Sequence, residues 1–325
     1  MITVLSGGTG GAKFVQGLSR VVPAEDITVI VNTGDDLEWW GLHVSPDLDS
    51  ISYALAGQLS RERGWGVEGD SFHCAEAAAR LGLPTWFRLG DRDLALHLAR
   101  TQLLGSGRSL GEATAEIVAR FGVRSSVLPM TNQRVETRVS TAAGELNFQE
   151  YFVREHYAPT PLGVCFAGAE QASPAPGVLE ALAAAQAILI APSNPITSIG
   201  PILAIPGIRH ALRAAPAPIA AVSPMVGGAA VSGPAAALMR AAGFAPSYSG
   251  VASAYSDFLD VLIADYRDAK WHDQNAALGF STGVRVHFCD TIMTSEPSKD
   301  ELARAALSSL GGALDKFCSR EAVSP

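Results

Sequence analysis

The sequence predicts an α/β fold: a doubly wound, mostly parallel, Rossmann-like sheet, with an inserted helical segment and a β-hairpin covering its strand ends. Three observations predict it. Apolar runs of four or five residues recur, each closing on small or polar residues. Helical patterns alternate with these runs. The chain also opens MITVLSGGTGGAKF, a strand that passes through four glycines into a helix. Strands alternating with helices imply a parallel sheet wrapped on both faces, and ligands of such sheets sit beyond the carboxyl ends of the strands.

Ile2, Val4 and Leu5 supply the first strand and residues 12–20 the first helix. The glycines between them suit an anion, because bare backbone N–H groups approach it closely and the helix N-terminus adds its dipole. Two familiar loops are excluded. Counting G-x-G-x-x-G from Gly8 and Gly10 puts Lys13 where the third glycine belongs. Ala12-Lys13-Phe14 lacks the glycine and the hydroxyl of a Walker A loop. Gly7, Gly8, Thr9, Gly10, Gly11 and Lys13 are the candidate phosphate ligands; the alternative is a tight, closely packed turn without a ligand.

Ile27–Val31 gives the second strand, ending in Asn32-Thr33-Gly34-Asp35-Asp36. Residues 50–122 read as mostly helical, with helices at 51–59, 94–100 and 113–121, the last behind a Ser109–Glu112 capping box. Residues 135–151 alternate around Ala142 to Glu145, as a hairpin does. Further strands are expected at Ala187–Ile190, Ile219–Val222 and 284–288. Helices are expected at 177–185, 233–242 and 256–265, with a last one from Ser298. The whole is read as a single domain over 1–325, with the insert at about 50–160.

A hydrophobic fraction of 48% is ample for the core of a 325-residue chain. The net charge of −8 argues against a nucleic-acid partner, which demands clustered Lys and Arg. Cys74, Cys165, Cys289 and Cys318 form no CxxC pair, so buried, reduced thiols are expected. No signal peptide is evident, and Pro, Gly, Ser or Asn interrupts each long apolar run. The expectation is a soluble, cytoplasmic protein without a membrane partner.

Asp35 and Asp36 close the second strand, and Pro46-Asp47-Leu48-Asp49-Ser50 follows. Carboxylates two residues apart face the same way in an extended segment, where Asp47 and Asp49 would reach one Mg2+ ion. Alternatively Asp49 or Ser50 caps the next helix, and Asp35 suits a ribose hydroxyl. Asp91 and Asp93 follow Trp86-Phe87-Arg88 in a charged turn, with Asp93 placed to cap the helix at 94–100. Trp39 and Trp40 either pack beneath the insert or wall a flat aromatic ligand. His43, His73 and His97 lack metal-ligand spacing and read as structural. Without a nucleophile elbow, direct transfer assisted by a metal is the natural chemistry.

Taken in order, SGGTGGAKF, VNTGDD, GLHVSPDLDS, LGDRD, LPMTNQRVETRV, ELNFQEYFV, SNPITSIGPIL, AVSPMVGG and VSGPAAALM resemble one family. It is the 2-phospho-L-lactate transferases of deazaflavin coenzyme F420 biosynthesis, and the resemblance runs from Met1 to about Asp268. It implies transfer of a phospho-acid from a guanosine diphosphate-linked donor to the ribityl hydroxyl of the deazaflavin Fo. GMP leaves, Mg2+ is required, and the protein acts as a homodimer. The acid, 2-phospho-L-lactyl, phosphoenolpyruvyl or phosphoglyceryl, stays open.

By the same resemblance Asp49 and Arg88 contact Fo, with Trp40 and Asp91 beside them. Asp36 and Asp47 hold the metal, Asp49 shares it, and Asp36 or Asp49 takes the hydroxyl proton. Asp49→Asn is expected to collapse turnover with the fold intact. Ser193, Asn194, Pro195 and Thr197 meet the guanosine half, with Ser223 and Gly227 behind them. Asn132 stands where the family commonly has an aspartate and is left out of the site. The alternative is a nucleotide-sugar-binding regulatory protein of a related superfamily; an NAD-dependent dehydrogenase conflicts with the missing glycine.

Overall fold

The computed structural model describes residues 1–271 and 283–311. β1 (Ile2–Ser6) runs directly into α1 (Gly8–Val21), and β2 (Ile27–Val31) follows. An antiparallel pair, β3 (Leu37–Trp39) and β4 (Leu42–Val44), leads to α2 (Pro46–Leu55), α3 (His73–Arg80), α4 (Asp91–Gly105) and α5 (Leu110–Arg120). Next come β5 (Ser126–Pro129) and a separate antiparallel sheet of β6 (Glu136–Thr141), β7 (Gly144–Asn147) and β8 (Pro161–Ala167). Then follow α6 (Val178–Ala183), β9 (Ala187–Ile190), α7 (Gly200–Ala204), α8 (Ile208–Ala214) and β10 (Ile219–Val222). The hairpin β11 (Met225–Val226) and β12 (Ala229–Ala230) precedes α9 (Ala235–Ala241), α10 (Tyr248–Ala254), β13 (Val261–Asp265), β14 (Arg285–Cys289) and α11 (Glu296–Ser309).

Seven strands form one parallel sheet in the order β14-β13-β10-β9-β1-β2-β5. β1, β2, β9, β10 and β13 are buried along their whole length, which is why they read as unbroken apolar runs. Successive residues face opposite ways, so the sheet has a core on each side. Val4, Phe14, Leu18, Ile51 and Leu302 fill one, and Leu5, Ile30, Ile190, Ile202 and Val251 the other. The chain builds from β1 to β2 and β5 in one direction, then returns to add β9, β10, β13 and β14 in the other. β1 and β9 therefore flank the reversal point, where ligands of such sheets bind.

Several elements depart from expectation. α1 begins at Gly8, four residues early, because its glycines permit it: Gly8 has φ +67°, and a Cβ on Gly10 would collide with the Pro192 carbonyl. The helix expected at 256–265 is replaced by the fully buried strand β13. A short apolar run satisfies either period, and its place between β10 and β14 decides. α2 opens at Pro46 rather than at residue 51, with proline in the first turn, where its missing N–H costs nothing. The last helix starts at Glu296 behind a Ser295–Ser298 capping box.

The Ser109–Glu112 capping box is present. β6 and β7 form the expected hairpin, but β8 adds a third strand and Glu150–Arg154 makes a single π turn. The span 50–160 also contributes β5 to the central sheet, paired with β2. Cys74 and Cys165 are exposed rather than buried, in the first turn of α3 and on the edge strand β8, and Cys289 is half-buried. Cys318 lies outside the described residues. No described helix is long and apolar enough to cross a membrane.

Candidate active site

Four segments meet on the Asp47 carboxylate at the carboxyl ends of β1, β2 and β9. The Gly8 N–H donates to Asp47 Oδ1 at 2.7 Å, and Asn32 Nδ2 donates to Oδ2 at 2.9 Å. Asn32 Nδ2 also reaches the Thr197 carbonyl at 3.3 Å, while Asn32 Oδ1 accepts the Gly34 N–H. The Ser193 hydroxyl donates to the Gly7 carbonyl at 2.7 Å and accepts the Gly7 N–H at 3.3 Å. The motifs SGGTGG, NTGDD, PDLD and SNPIT, scattered over nearly two hundred positions, are therefore one place. The N–H groups of Thr9 and Gly10 belong to the helix's first turn, which has no internal acceptors and favours an anion.

Buried polar atoms without a partner lie in or beside these segments: Ser6 Oγ, Thr33 Oγ1, Asp36 Oδ1 and Thr197 Oγ1, while the Thr137 hydroxyl faces Asp35. Native structures pair most such atoms, so a group of orphans signals something that binds there. The second Asp36 oxygen accepts the Ser45 hydroxyl at 2.6 Å and lies 3.1 Å from His43 Nε2. Burial, and then the charge of Asp47, pushes Asp35 well above the usual carboxylate range. Burial likewise raises Asp36 and pushes Asp47 up to about 6, with the charges of Asp36 and Asp49 adding to the latter. Asp35 and Asp47 are buried, Asp36 is half-buried, and the charges of Asp36 and Asp47 each raise a neighbour, so this end of the sheet favours a held proton or a nearby positive charge.

Asp49 does not join them. In the first turn of a helix, residues two apart point about 200° away from each other, so the shared ion expected from an extended Asp47-Leu48-Asp49 is lost. Arg100 Nη1 and Nη2 both donate to Asp49, and His97 Nδ1 lies 3.6 Å from it. His97 Nε2 is 3.3 Å from Asp93 Oδ1, which accepts the Tyr53 hydroxyl at 2.7 Å. Burial would raise Asp93, but the hydrogen bond and charge of His97 bring it below its ordinary value. Asp49, Asp93 and His97 are close enough to hold an ion. Among the described residues they are the group of acids and histidine whose ligand atoms all lie within 4.8 Å of one another, although the Arg100 guanidinium also neutralises Asp49. Neither expected cap forms: Asp49 and Ser50 lie within α2, and Asp93 within α4.

The remaining candidates lie further out. The Asp91 oxygens accept the Ser71 hydroxyl and the His73 and Cys74 N–H groups, so this carboxylate caps α3. Arg88 is exposed, its guanidinium 4.2 Å above the Phe72 ring. Trp40 adopts φ +53°, stacks on Trp39 at 5.9 Å and donates its Nε1–H to the Pro84 carbonyl. Trp39 itself is buried against Trp86 and Phe87, so packing wins for that residue. Lys13 lies alongside Gly64. Asn194 Oδ1 accepts the Ile196 N–H and shapes the turn through Pro195. The Ser223 hydroxyl bonds Met225 in the turn after β10. Asn132 accepts the Gly111 N–H at the start of α5.

Sequence reasoning missed Asn32, the hub of the strand-end hydrogen bonds, and the Arg100–His97–Asp93–Tyr53 chain. Asp93 and His97, four apart on one helix, were the available signal for the latter. A cavity of about 520 Å³ between α2, α4 and α5, lined by Tyr53, Leu96, Ile117 and Phe121, includes none of the strand-end acids.

A family model described as 2-phospho-L-lactate transferase CofD matches residues 2–294. The chain is 42% identical over 315 residues to the 2-phospho-L-lactate transferase of Methanosarcina acetivorans, covering 97% of this chain and 99% of that protein. It is 43% identical over 312 residues to the phosphoenolpyruvate transferase of Streptomyces griseus, covering 94% and 97%. Among solved structures, a UPF0052 family member from Bacillus halodurans superposes with a TM-score of 0.62 at 18% identity, covering 94% and 98%. That likeness shows the fold alone.

Proposed function

The chain belongs to the CofD family of 2-phospho-L-lactate transferases, and from that premise we propose that it moves a phospho-acid from a guanosine diphosphate-linked donor to Fo. The ribityl hydroxyl oxygen attacks the phosphorus that carries the acid, the bond from that phosphorus to the GMP oxygen breaks, and GMP departs. The observation that carries this reading is the meeting at Asp47 of a glycine-rich helix start, two further acids and the loop after β9. It fits phosphoryl transfer, where the protein mainly positions groups and balances charge.

Within the site, α1 would receive the donor phosphates on its first-turn N–H groups, and residues 193–197 would line the nucleoside side. Asp35, Asp36 and Asp47 would hold Mg2+. When bound, the ion supplies charge neutralisation for the phosphate oxygens. The hydroxyl proton passes to a carboxylate of this cluster. Asp49 is engaged by Arg100 and is the poorer acceptor. A loose transition state asks little of a base. The reading carries with it a cytoplasmic homodimer, as the resemblance implies.

The relatives bear two names, 2-phospho-L-lactate transferase and phosphoenolpyruvate transferase, so the transferred acid is the open variable. The test incubates the purified chain with Fo, Mg2+ and guanylylated lactate, enolpyruvate or glycerate in separate tubes. A mass-resolved Fo adduct plus GMP in one tube identifies the donor. Absence of adduct in every tube, with nucleotide bound, overturns the reading in favour of a regulatory nucleotide-binding protein.

A further inference from the structure

A second cavity, of about 380 Å³, opens on the face of the sheet opposite α1, between β8, α7, α8 and α10. Val164, Phe166, Leu203, Ala204 and Phe244 wall it, each only half-buried, so apolar surface faces the space. Its volume is that of a small-ligand pocket, and such surface gains by being covered. One polar group also faces it unused. Tyr255 lines the cavity and is 2% exposed, its ring 5.8 Å from that of Phe258. The Tyr255 hydroxyl makes no hydrogen bond among the described residues. A buried tyrosine hydroxyl normally finds a partner; Tyr53, on the opposite face, donates to Asp93 at 2.7 Å.

The other polar groups of the wall are engaged. Arg209 stands beside Tyr255, and its charge opposes the rise that burial gives the phenol pKa. Its Nε and Nη2 donate to the two Asp257 oxygens, and Nη2 also to the Ala254 carbonyl. The Ser253 hydroxyl donates to the Ser249 carbonyl. The cavity thus offers apolar walls, one idle donor and a guanidinium already neutralised. We propose that it binds a neutral, mainly apolar ring compound through a carbonyl oxygen that accepts the Tyr255 O–H. A charged acid fits less well, since it would lose its water beside a cation that Asp257 already pairs. A hydrocarbon would cover the walls and leave the hydroxyl idle. The occupant would rest against Pro195, Ile196 and Gly200, in the segment after β9 whose Ser193 and Thr197 reach the strand-end hydrogen bonds. The site stands whether or not the chain transfers a phospho-acid.

The experiment titrates ethylbenzene, acetophenone and benzoate into the full chain by ligand-observed NMR, for the unmodified protein and for Y255F. The three probes share a ring and carry no acceptor, a neutral acceptor and a charged one. Acetophenone binds the unmodified chain about threefold to tenfold tighter than ethylbenzene, the worth of one hydrogen bond, and tighter than benzoate. Y255F abolishes that preference and leaves ethylbenzene binding unchanged. Removing an idle hydroxyl breaks no bond, so Y255F melts no lower than the unmodified chain. A clearly lower melting temperature means that the hydroxyl has a partner inside the protein, and overturns the assignment. So does a preference for acetophenone that survives Y255F, tightest binding by benzoate, or no binding of any probe.

Discussion

Asp47 and Asp49 stand two positions apart in one helix turn and live in opposite electrostatic worlds. Asp49 faces Arg100, both nearly solvent-free, so the expectation that Asp49→Asn spares the fold is revised. Removing one partner of a buried pair strands the other, at about 3–5 kcal/mol. Asp49→Asn and Arg100→Leu should each lower the melting temperature clearly, and the double variant should recover part of the loss; additive losses in thermal melts would exclude the coupling. Asp47 behaves differently, because its pKa when folded is about 6 against an ordinary value of 3.8. The folded state holds that proton more tightly. Its contribution is complete below pH about 4 and lost as the pH rises through about 6, on the order of 3 kcal/mol. Melts of the metal-free chain should show stability falling across that window, with added Mg2+ restoring it above pH 6. The sequence announced these acids but not their directions, because helix or strand decides where a carboxylate points. Arg100 was illegible: nothing at its position marks a partner 51 residues earlier.

The glycine loop shows why element boundaries are harder to read than elements. Strand, glycines and helix were all legible, yet α1 starts inside the glycines because Pro192 and Ser193 crowd it and leave no room for side chains. Gly10→Ala forces Cβ against the Pro192 carbonyl and should weaken both stability and nucleotide binding. Gly105→Ala, at the end of α4 with nothing within 4 Å, should be neutral or gain up to about 1 kcal/mol. Urea unfolding of the two variants checks the contrast, and equal midpoints would contradict it. β13 was misread for another reason. Val261-Leu262-Ile263-Ala264 has no period of its own, and only its sheet neighbours select the extended form.

Across the whole molecule, the alternation of strands and helices was legible because a buried parallel strand must be apolar throughout. The site was legible as a list of strand ends, since the reversal between β1 and β9 gathers them in one crevice. β5 was hidden: Ser126–Pro129 is short, closes on proline and lies at the sheet edge after a long helical stretch. β8 escaped for a related reason, as an edge strand with mixed burial shows no clean alternation.

The Gly8 N–H has one acceptor, and Asp47 occupies it. An arriving phosphate can take that N–H only if the carboxylate turns away, and a carboxylate so freed is an anion beside two others, in need of a cation. Nucleotide and metal are therefore not independent visitors. Each makes room for the other, and the loop should accept them together more readily than singly. Titrating GDP with and without Mg2+ should give affinities that differ by much more than the ion's screening of free nucleotide explains, and identical affinities would mean that the two sites ignore one another.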